Sequence, residues 1–466
     1  MNFFSINKND NVAVVLDKDQ TIPYGHKMAL SDIKQGDYVI KYGFPIGRAK
    51  TDIKKGDWVH SHNLESHLSE SFSYSYNPKL VNLKKNCKTF MGYPRKWGSA
   101  GIRNDIYIIP TVGCVNGVCK ELEKRANQLE LGSIDGVFAL THQFGCSQLG
   151  EDHANIGKLL AALALNPNAT YVLFVGLGCE NNGLKGIQDR LAPYGRDNIA
   201  FFNCQEQEDE VSYGMEILKG FIDKAKDLKR AECDCSELVI GLKCGGSDAF
   251  SGISANPTVG KVSDTVVSCG GSAILTEVPE MFGAEQILMD KCENKEVYGK
   301  YLSLITNFKK YYTDLGFPVY ENPSPGNKEG GITTLEEKSL GCVAKAGSSP
   351  IVDVLDYAEP VHKKGLSVLN GPGNDLIAAT ALAASGCQLI LFTTGRGTPF
   401  SSVVPTLKIS SNAPLAKKKN NWIDFDASTM DADGLLSLVL RLASGEYHAK
   451  EESNREIAFF KKGVTL

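Results

Sequence analysis

Six segments of the 466-residue chain end an apolar run in a short turn stocked with Gly, Cys, His, Asp or Glu. They are THQFGCSQLGEDH (141–153) after GVFAL, GLGCENNG (176–183) after YVLFV, and KCGGSDAFSG (243–252) after ELVIGL. The others are TEVPE (276–280) after SAIL, NGPGND (370–375) after LSVL, and TTGRGTP (393–399) after QLILF. Open α/β sheets bind ligands beyond the carboxyl ends of their strands, where such turns gather. The repeated layout therefore predicts an enzyme acting on a small ligand.

Individual residues suggest the chemistry. His142, Cys146 and His153 span a strand end and the start of a helix, which suits a metal or acid–base cluster. A buried Cys146 and a capping His153 are the plainer alternative. His60 and His62 stand two apart, on one face if they occupy a strand, and with Asn63 suit a metal or a carboxylate substrate. An exposed edge strand explains the same pair without function. Asp248, Glu277 and Glu280 offer oxygen ligands to a hard divalent cation, as do Asn374 and Asp375. The same residue types serve as caps and turns. Arg396, between two glycines, is a candidate fork for a substrate carboxylate.

Two nucleotide-binding readings are weak. Gly176-Leu-Gly178 continues as Cys179-Glu180-Asn181 rather than x-x-Gly, and Gly260-Lys261 lacks both the upstream glycine and the following Ser or Thr of a phosphate loop. A formal net charge of -4 gives no basic field for nucleic acid or anionic membrane. Thirteen scattered cysteines without a C-x-x-C pair are neither a disulfide framework nor a zinc ribbon. The N-terminus turns charged before an apolar run long enough for a signal peptide forms, so a reducing, cytoplasmic compartment is expected.

The elements that must position these residues follow from periodicity. Short β-type runs up to about residue 64, parted by polar turns, predict a small all-β module. Within it, Ile33-Lys-Gln-Gly-Asp37 and Ile53-Lys-Lys-Gly-Asp57 repeat one turn pattern. Residues 65–99, rich in Ser, Asn, Lys and Tyr, predict an extended linker. From Asp105 onward, β-branched strands alternate with helices, the mark of βαβ units and a mostly parallel sheet. This gives two α/β domains, 100–230 and 231–466. Leu376 to Thr394 is nearly long enough to span a membrane, but Gly386 divides it and Asn374 offers a cap. A buried helix followed by a buried strand is expected there.

The strings IPYGHKMAL, KKGDWVHSHN, THQFGCSQLGEDH, LNPNATYVLFVGLGCENN, KCGGSDAFSGISANPTVGKVSD, LTEVPEMFGAE, NGPGND and FTTGRGTPFSSVVPTLKISSN together resemble the altronate/galactarate dehydratase family over nearly the whole chain. The resemblance implies an N-terminal β-clip module of the SAF type over residues 1–64, a middle domain used for homodimerisation, and a C-terminal Rossmann-like domain holding a metal. It also implies activity supported by ferrous iron, with manganese or another divalent ion as a substitute. The string THQFGCSQLGEDH with GLGCENN looks closer to altronate dehydratases than to galactarate dehydratases. Lys243 stands where Gln is expected before Cys-Gly-Gly, and Ser401 where Gly is common. A related sulfolactate sulfo-lyase is the nearest alternative lyase; an NAD-dependent oxidoreductase and a sugar-acid binding protein are alternatives of other classes.

Dehydrating an aldonate removes a proton from C2 and hydroxide from C3. A metal at the carboxylate would offset the growing charge, with histidine as base and acid. The expected order is His62, then His142, with His153 supporting. Asp248, Glu277 and Glu280 are the expected metal ligands, and Cys146 and Cys179 softer ones.

Overall fold

A computed structural model describes residues 2–17, 21–68, 74–452 and 455–465. Residues 69–73 of the expected linker lie outside that description.

The N-terminal module contains two small antiparallel sheets. The repeated turns clasp each other. Ile33 and Ile53 exchange two backbone hydrogen bonds of 2.8 Å, and each turn donates an N–H to the aspartate that opens the other, Gln35 to Asp52 and Lys55 to Asp32. Gly36 and Gly56 sit at φ 86° and 92°, as the repeat required.

Residues 74–88 carry no regular element, but the extended segment ends earlier than the sequence suggests. Thr89–Arg95 and Gly98–Gly101 form strands that join Ala231–Asp234 in a three-stranded sheet. Gly-rich and aromatic residues there give no clear period; Thr89–Arg95 pairs with Ala231–Asp234, more than 130 residues away, and Gly98–Gly101 pairs with Thr89–Arg95.

The middle sheet is parallel, in the order Gly136–Ala139, Asp105–Pro110, Ala169–Gly176, Ile199–Asn203. The C-terminal sheet has seven parallel strands in the order Ile351–Leu355, Gly365–Leu369, Ser272–Leu275, Val239–Cys244, Leu389–Thr394, Thr406–Ser410, Phe425–Asp426. Its first strand in sequence, Val239–Cys244, lies in the middle. The chain builds outward on one side and then returns to the other, so a topological switch point falls beside Cys244. Strand after strand is buried throughout, which explains the continuous apolar runs such as LILF. The expected helix and strand replace the apparent membrane span. Asn374 caps the helix Asp375–Ala384 by accepting the Ile377 N–H, Gly386 turns the chain at φ 100°, and Leu389–Thr394 enters the sheet. Among the described residues no helix is long and apolar enough to cross a membrane.

The N-terminal module is fastened to the C-terminal domain by a buried ion triad. Lys27 and Lys41 each reach a different oxygen of Glu337 at 2.8 Å, and all three side chains are at most 1% exposed. Burial alone would raise the Glu337 carboxyl, but the two ammoniums outweigh it and hold it at about 2. Desolvation beside a second lysine depresses Lys27 to about 8. Removing one member of a buried ion set leaves charge uncompensated. Glu337→Gln is therefore expected to lower unfolding free energy by about 3 to 5 kcal/mol, read from urea denaturation; an unchanged midpoint would refute the clamp. A carboxyl with a depressed folded pKa stabilises above its unfolded value and loses that contribution as pH falls. The clamp thus weakens below about pH 4.5 and is lost toward about 2.

Candidate functional site

The side chains of the C-terminal strand ends converge around Cys244, the last residue of the central strand. Glu280 comes from the turn after Ser272–Leu275, and Cys342 ends the helix Leu335–Cys342. One oxygen of Glu280 lies 3.0 Å from the Cys244 sulfur and 3.1 Å from that of Cys342, and the sulfurs are 3.4 Å apart. All three residues are buried, and among the described residues they are the one group of three whose ligand atoms lie within 4.8 Å of one another. The other oxygen of Glu280 accepts Lys338 at 2.8 Å. Burial works against ionising Glu280, yet Lys338, Lys345 and Lys243 together hold its carboxyl well below the ordinary range. The hydrogen bond from Cys244 and burial push the Cys342 thiol well up.

Glu277 lies beside this group with a different duty. It adopts φ 72°, a left-handed conformation that a non-glycine residue holds only under constraint. Its carboxylate is held by Lys243, by the Cys244 N–H at 2.9 Å and by Lys345 at 3.1 Å. Lys243 also reaches Asp375 at 2.9 Å. Three ammoniums, Lys243, Lys338 and Lys345, thus face three carboxylates, Glu277, Glu280 and Asp375. With both thiols protonated that set is neutral, and exchanging their two protons for a divalent cation keeps it neutral. Two sulfurs and one carboxylate favour iron- or zinc-like ions over calcium or magnesium.

Asp248 and Glu277 therefore stand apart from the ligand group expected around Glu280. Asp248 accepts the Phe250 and Ser251 N–H groups and the Ser251 and Ser411 hydroxyls on one oxygen, and the Asn412 amide on the other. It is a fully engaged clamp of the Gly-rich turn. Cys244, Cys342 and the three lysines were not among the expected site residues. Lys243 was visible only as a departure from the family pattern, and its structural meaning is the bridge from Glu277 to Asp375. Lys243→Gln would keep one donor and lose the charge, so a loss of about 2 kcal/mol is expected with the fold retained; thermal unfolding at fixed pH measures it.

His60 and His62 sit in the turn after the two-residue strand Trp58–Val59, so they do not share a strand face. Asn63 holds that turn, accepting the His60 N–H and donating to the Trp58 carbonyl. His60 Nε2 contacts the Lys328 carbonyl at 3.0 Å, and His26, which the sequence reading missed, contacts the Glu329 carbonyl at 3.1 Å. His26 also accepts the Trp58 indole N–H, so both its nitrogens are engaged. Desolvation lowers His26 to about 4 and depresses His60 as well, keeping both neutral near pH 7. The His62 ring packs at 5.2 Å on Trp58. Arg396 pairs with Glu329 at 3.0 Å, on the segment that the module's histidines touch. Asn374 spends its side-chain oxygen on the helix cap.

His142 and His153 belong to the middle domain. His142 is buried, its Nε2 2.8 Å from the Pro110 carbonyl and its Nδ1 accepting the Phe144 N–H. Burial takes it down to about 4. His153 Nε2 contacts the Asn181 carbonyl at 3.1 Å. Cys146 and Cys179 are exposed in the same loops.

A β module clamped beside the switch point of a parallel sheet, over a buried carboxylate–dithiol group ringed by lysines, defines a multidomain α/β enzyme with a strand-end site. Three family models cover the chain: the altronate/galactarate dehydratase SAF domain at residues 16–67, the D-galactarate dehydratase/altronate hydrolase second domain at 92–226, and the D-galactarate/altronate dehydratase C-terminal domain at 235–465. An altronate dehydratase of Bacillus subtilis (strain 168) is 47% identical over 100% of this chain and 99% of its own length. One from Escherichia coli (strain K12) is 46% identical over 98% of this chain and 94% of its own. The galactarate dehydratase (L-threo-forming) of Escherichia coli (strain K12) is 32% identical over 92% and 88%. The chain belongs to the altronate/galactarate dehydratase family and is a hydro-lyase.

Proposed function

We propose that the protein dehydrates D-altronate to 2-dehydro-3-deoxy-D-gluconate with a divalent metal, ferrous iron, held by Cys244, Glu280 and Cys342. The observation that carries the substrate is the full-length identity of 47% and 46% to altronate dehydratases, against 32% to the galactarate enzyme. A bound divalent ion would supply Lewis acidity to the substrate's carboxylate and hydroxyl oxygens.

The protein's own groups do the rest. Lys243, Lys338 and Lys345 offset the charges of Glu277, Glu280 and Asp375 at the strand ends, so the site carries no net negative charge to repel an anionic substrate. Arg396, half-exposed and paired with a surface carboxylate, can exchange Glu329 for the substrate carboxylate. His62 moves the proton: the rings of His26 and His60 are engaged by backbone and Trp58, which leaves His62 as the module's proton carrier. His142 and His153 hold loops of the middle domain, and Asn63 and Asn374 hold a turn and a cap.

The dimer expected through residues 100–230 rests on the family resemblance, and the cytoplasmic setting on the charged N-terminus and the scattered cysteines; sedimentation velocity tests the first. Offering altronate, galactarate and sulfolactate to the iron-loaded protein under anaerobic conditions tests the substrate. A kcat/KM for altronate at least tenfold above the others supports this reading, and preference for galactarate overturns it.

A further inference from the structure

We propose a second, separate metal centre: an iron–sulfur cluster held by Cys114, Cys146 and Cys179 at the carboxyl edge of the middle sheet. Three neighbouring parallel strands, Gly136–Ala139, Asp105–Pro110 and Ala169–Gly176, each lead into a loop containing a Gly-Cys pair. The pairs are Gly113-Cys114, Gly145-Cys146 and Gly178-Cys179. The strand that leads to Cys114 is the first in sequence and lies between the other two, so this edge is also a topological switch point.

The loops are tied together at the cysteines. Gly113 N–H donates to the Phe144 carbonyl at 2.9 Å, Asn182 N–H to the Gly145 carbonyl at 3.1 Å, and Ser147 N–H to the Asn181 side chain at 3.0 Å. Glu180 accepts the Gly178 N–H at 2.7 Å and the Thr111 hydroxyl. A side chain at Gly145, which has φ 108°, would collide with the Thr111 carbonyl. One at Gly113 would come within 2.9 Å of the His142 carbonyl oxygen. His142 and His153 act here as positioning residues, bonded to Pro110 and Phe144 and to Asn181.

Exposure singles out the same three thiols. Of the thirteen cysteines, eight are buried and one is half-buried; the four exposed are Cys87, on the extended arm, and these three. Exposed thiols on glycine-constrained loops that hydrogen-bond to one another at one sheet edge add little to packing and are good soft-metal ligands. Two thiolates on one tetrahedral ion stand about 3.8 Å apart, given an ion–sulfur distance of about 2.3 Å. The three sulfurs do not all fall within 4.8 Å of one another, since the group that does is Cys244, Glu280 and Cys342. A polynuclear cluster is bound through thiolates that stand farther apart than two on a single ion, and three cysteines leave one iron open to a ligand from outside the chain.

Anaerobic incubation of the full chain with ferric iron, sulfide and a thiol that reduces part of the iron, followed by desalting, tests this. The expected result is retained iron and acid-labile sulfide with broad visible sulfur-to-iron absorption. That absorption should be lost in Cys114→Ser, Cys146→Ser and Cys179→Ser and kept in Cys87→Ser and Cys244→Ser. A second readout needs no variant: in the reconstituted wild type, iodoacetamide should label Cys87 while Cys114, Cys146 and Cys179 are protected. A folded wild type that retains no labile sulfide, iron bound without sulfide, absorption that survives loss of the three cysteines, or labelling of all four thiols would each overturn the proposal.

Discussion

Glu280→Gln is expected to reduce altronate turnover by roughly 10³-fold or more, the scale associated with losing a principal charge-stabilising group, and to abolish tight binding of the metal at Cys244 and Cys342. Among the described residues Glu280 is the only carboxylate that touches both sulfurs, and Lys338 fixes its other oxygen. The amide keeps the shape while removing the charge a divalent ion requires. Circular dichroism separates this from misfolding, because Lys338 would then lose its buried partner and some stability is expected to go with it. A folded variant with wild-type kcat and metal content would remove Glu280 from the mechanism.

His62→Ala is expected to lower kcat by about 10² to 10⁴-fold, the usual range for a general acid or base, with KM for altronate and thermal stability little changed. The side chain is exposed and its ring rests on Trp58, so its loss opens no cavity. Near-normal turnover would take the N-terminal module out of proton transfer and leave it a clamp. His60→Ala serves as the contrast: His60 bridges to the Lys328 carbonyl, so its loss should disturb docking of the module and change KM and kcat together.

The architecture was largely legible because burial writes itself into periodicity. Runs such as YVLFV and LILF can only be two-sided strands, and the glycine after Ala384 separates helix from strand where length alone suggested a membrane span. The repeated IKxGD turns showed their glycine conformation in the sequence, but their mutual clasp is seen only in the structure. The strand Thr89–Arg95 was missed because its pairing with distant Ala231–Asp234 leaves no local pattern, and Gly98–Gly101, which pairs with it, was missed with it.

The site was less legible, for a physical reason. The sequence points to the strand ends and names Glu280, which the structure places beside Cys244 and Cys342. It does not name those partners: Cys342 ends a helix almost a hundred residues beyond Cys244, and nothing in spacing joins them. Buried lysines carry no sequence signature, since Lys338 and Lys345 read as ordinary helix residues until the carboxylates they neutralise are seen. Asp248 and Glu277 were of the right type but spend their oxygens on structure. His142 and Cys146, expected as one cluster, lie in the loop after a middle-sheet strand and not around Glu280.

Turnover of D-altronate by anaerobic protein, before and after metal removal, tests the central claim most directly. Formation of a 2-keto acid that stops with a chelator, returns with ferrous iron and fails to return in Glu280→Gln is the predicted result. Chelator-insensitive 2-keto acid formation, or none from altronate by folded, iron-loaded protein, would contradict it.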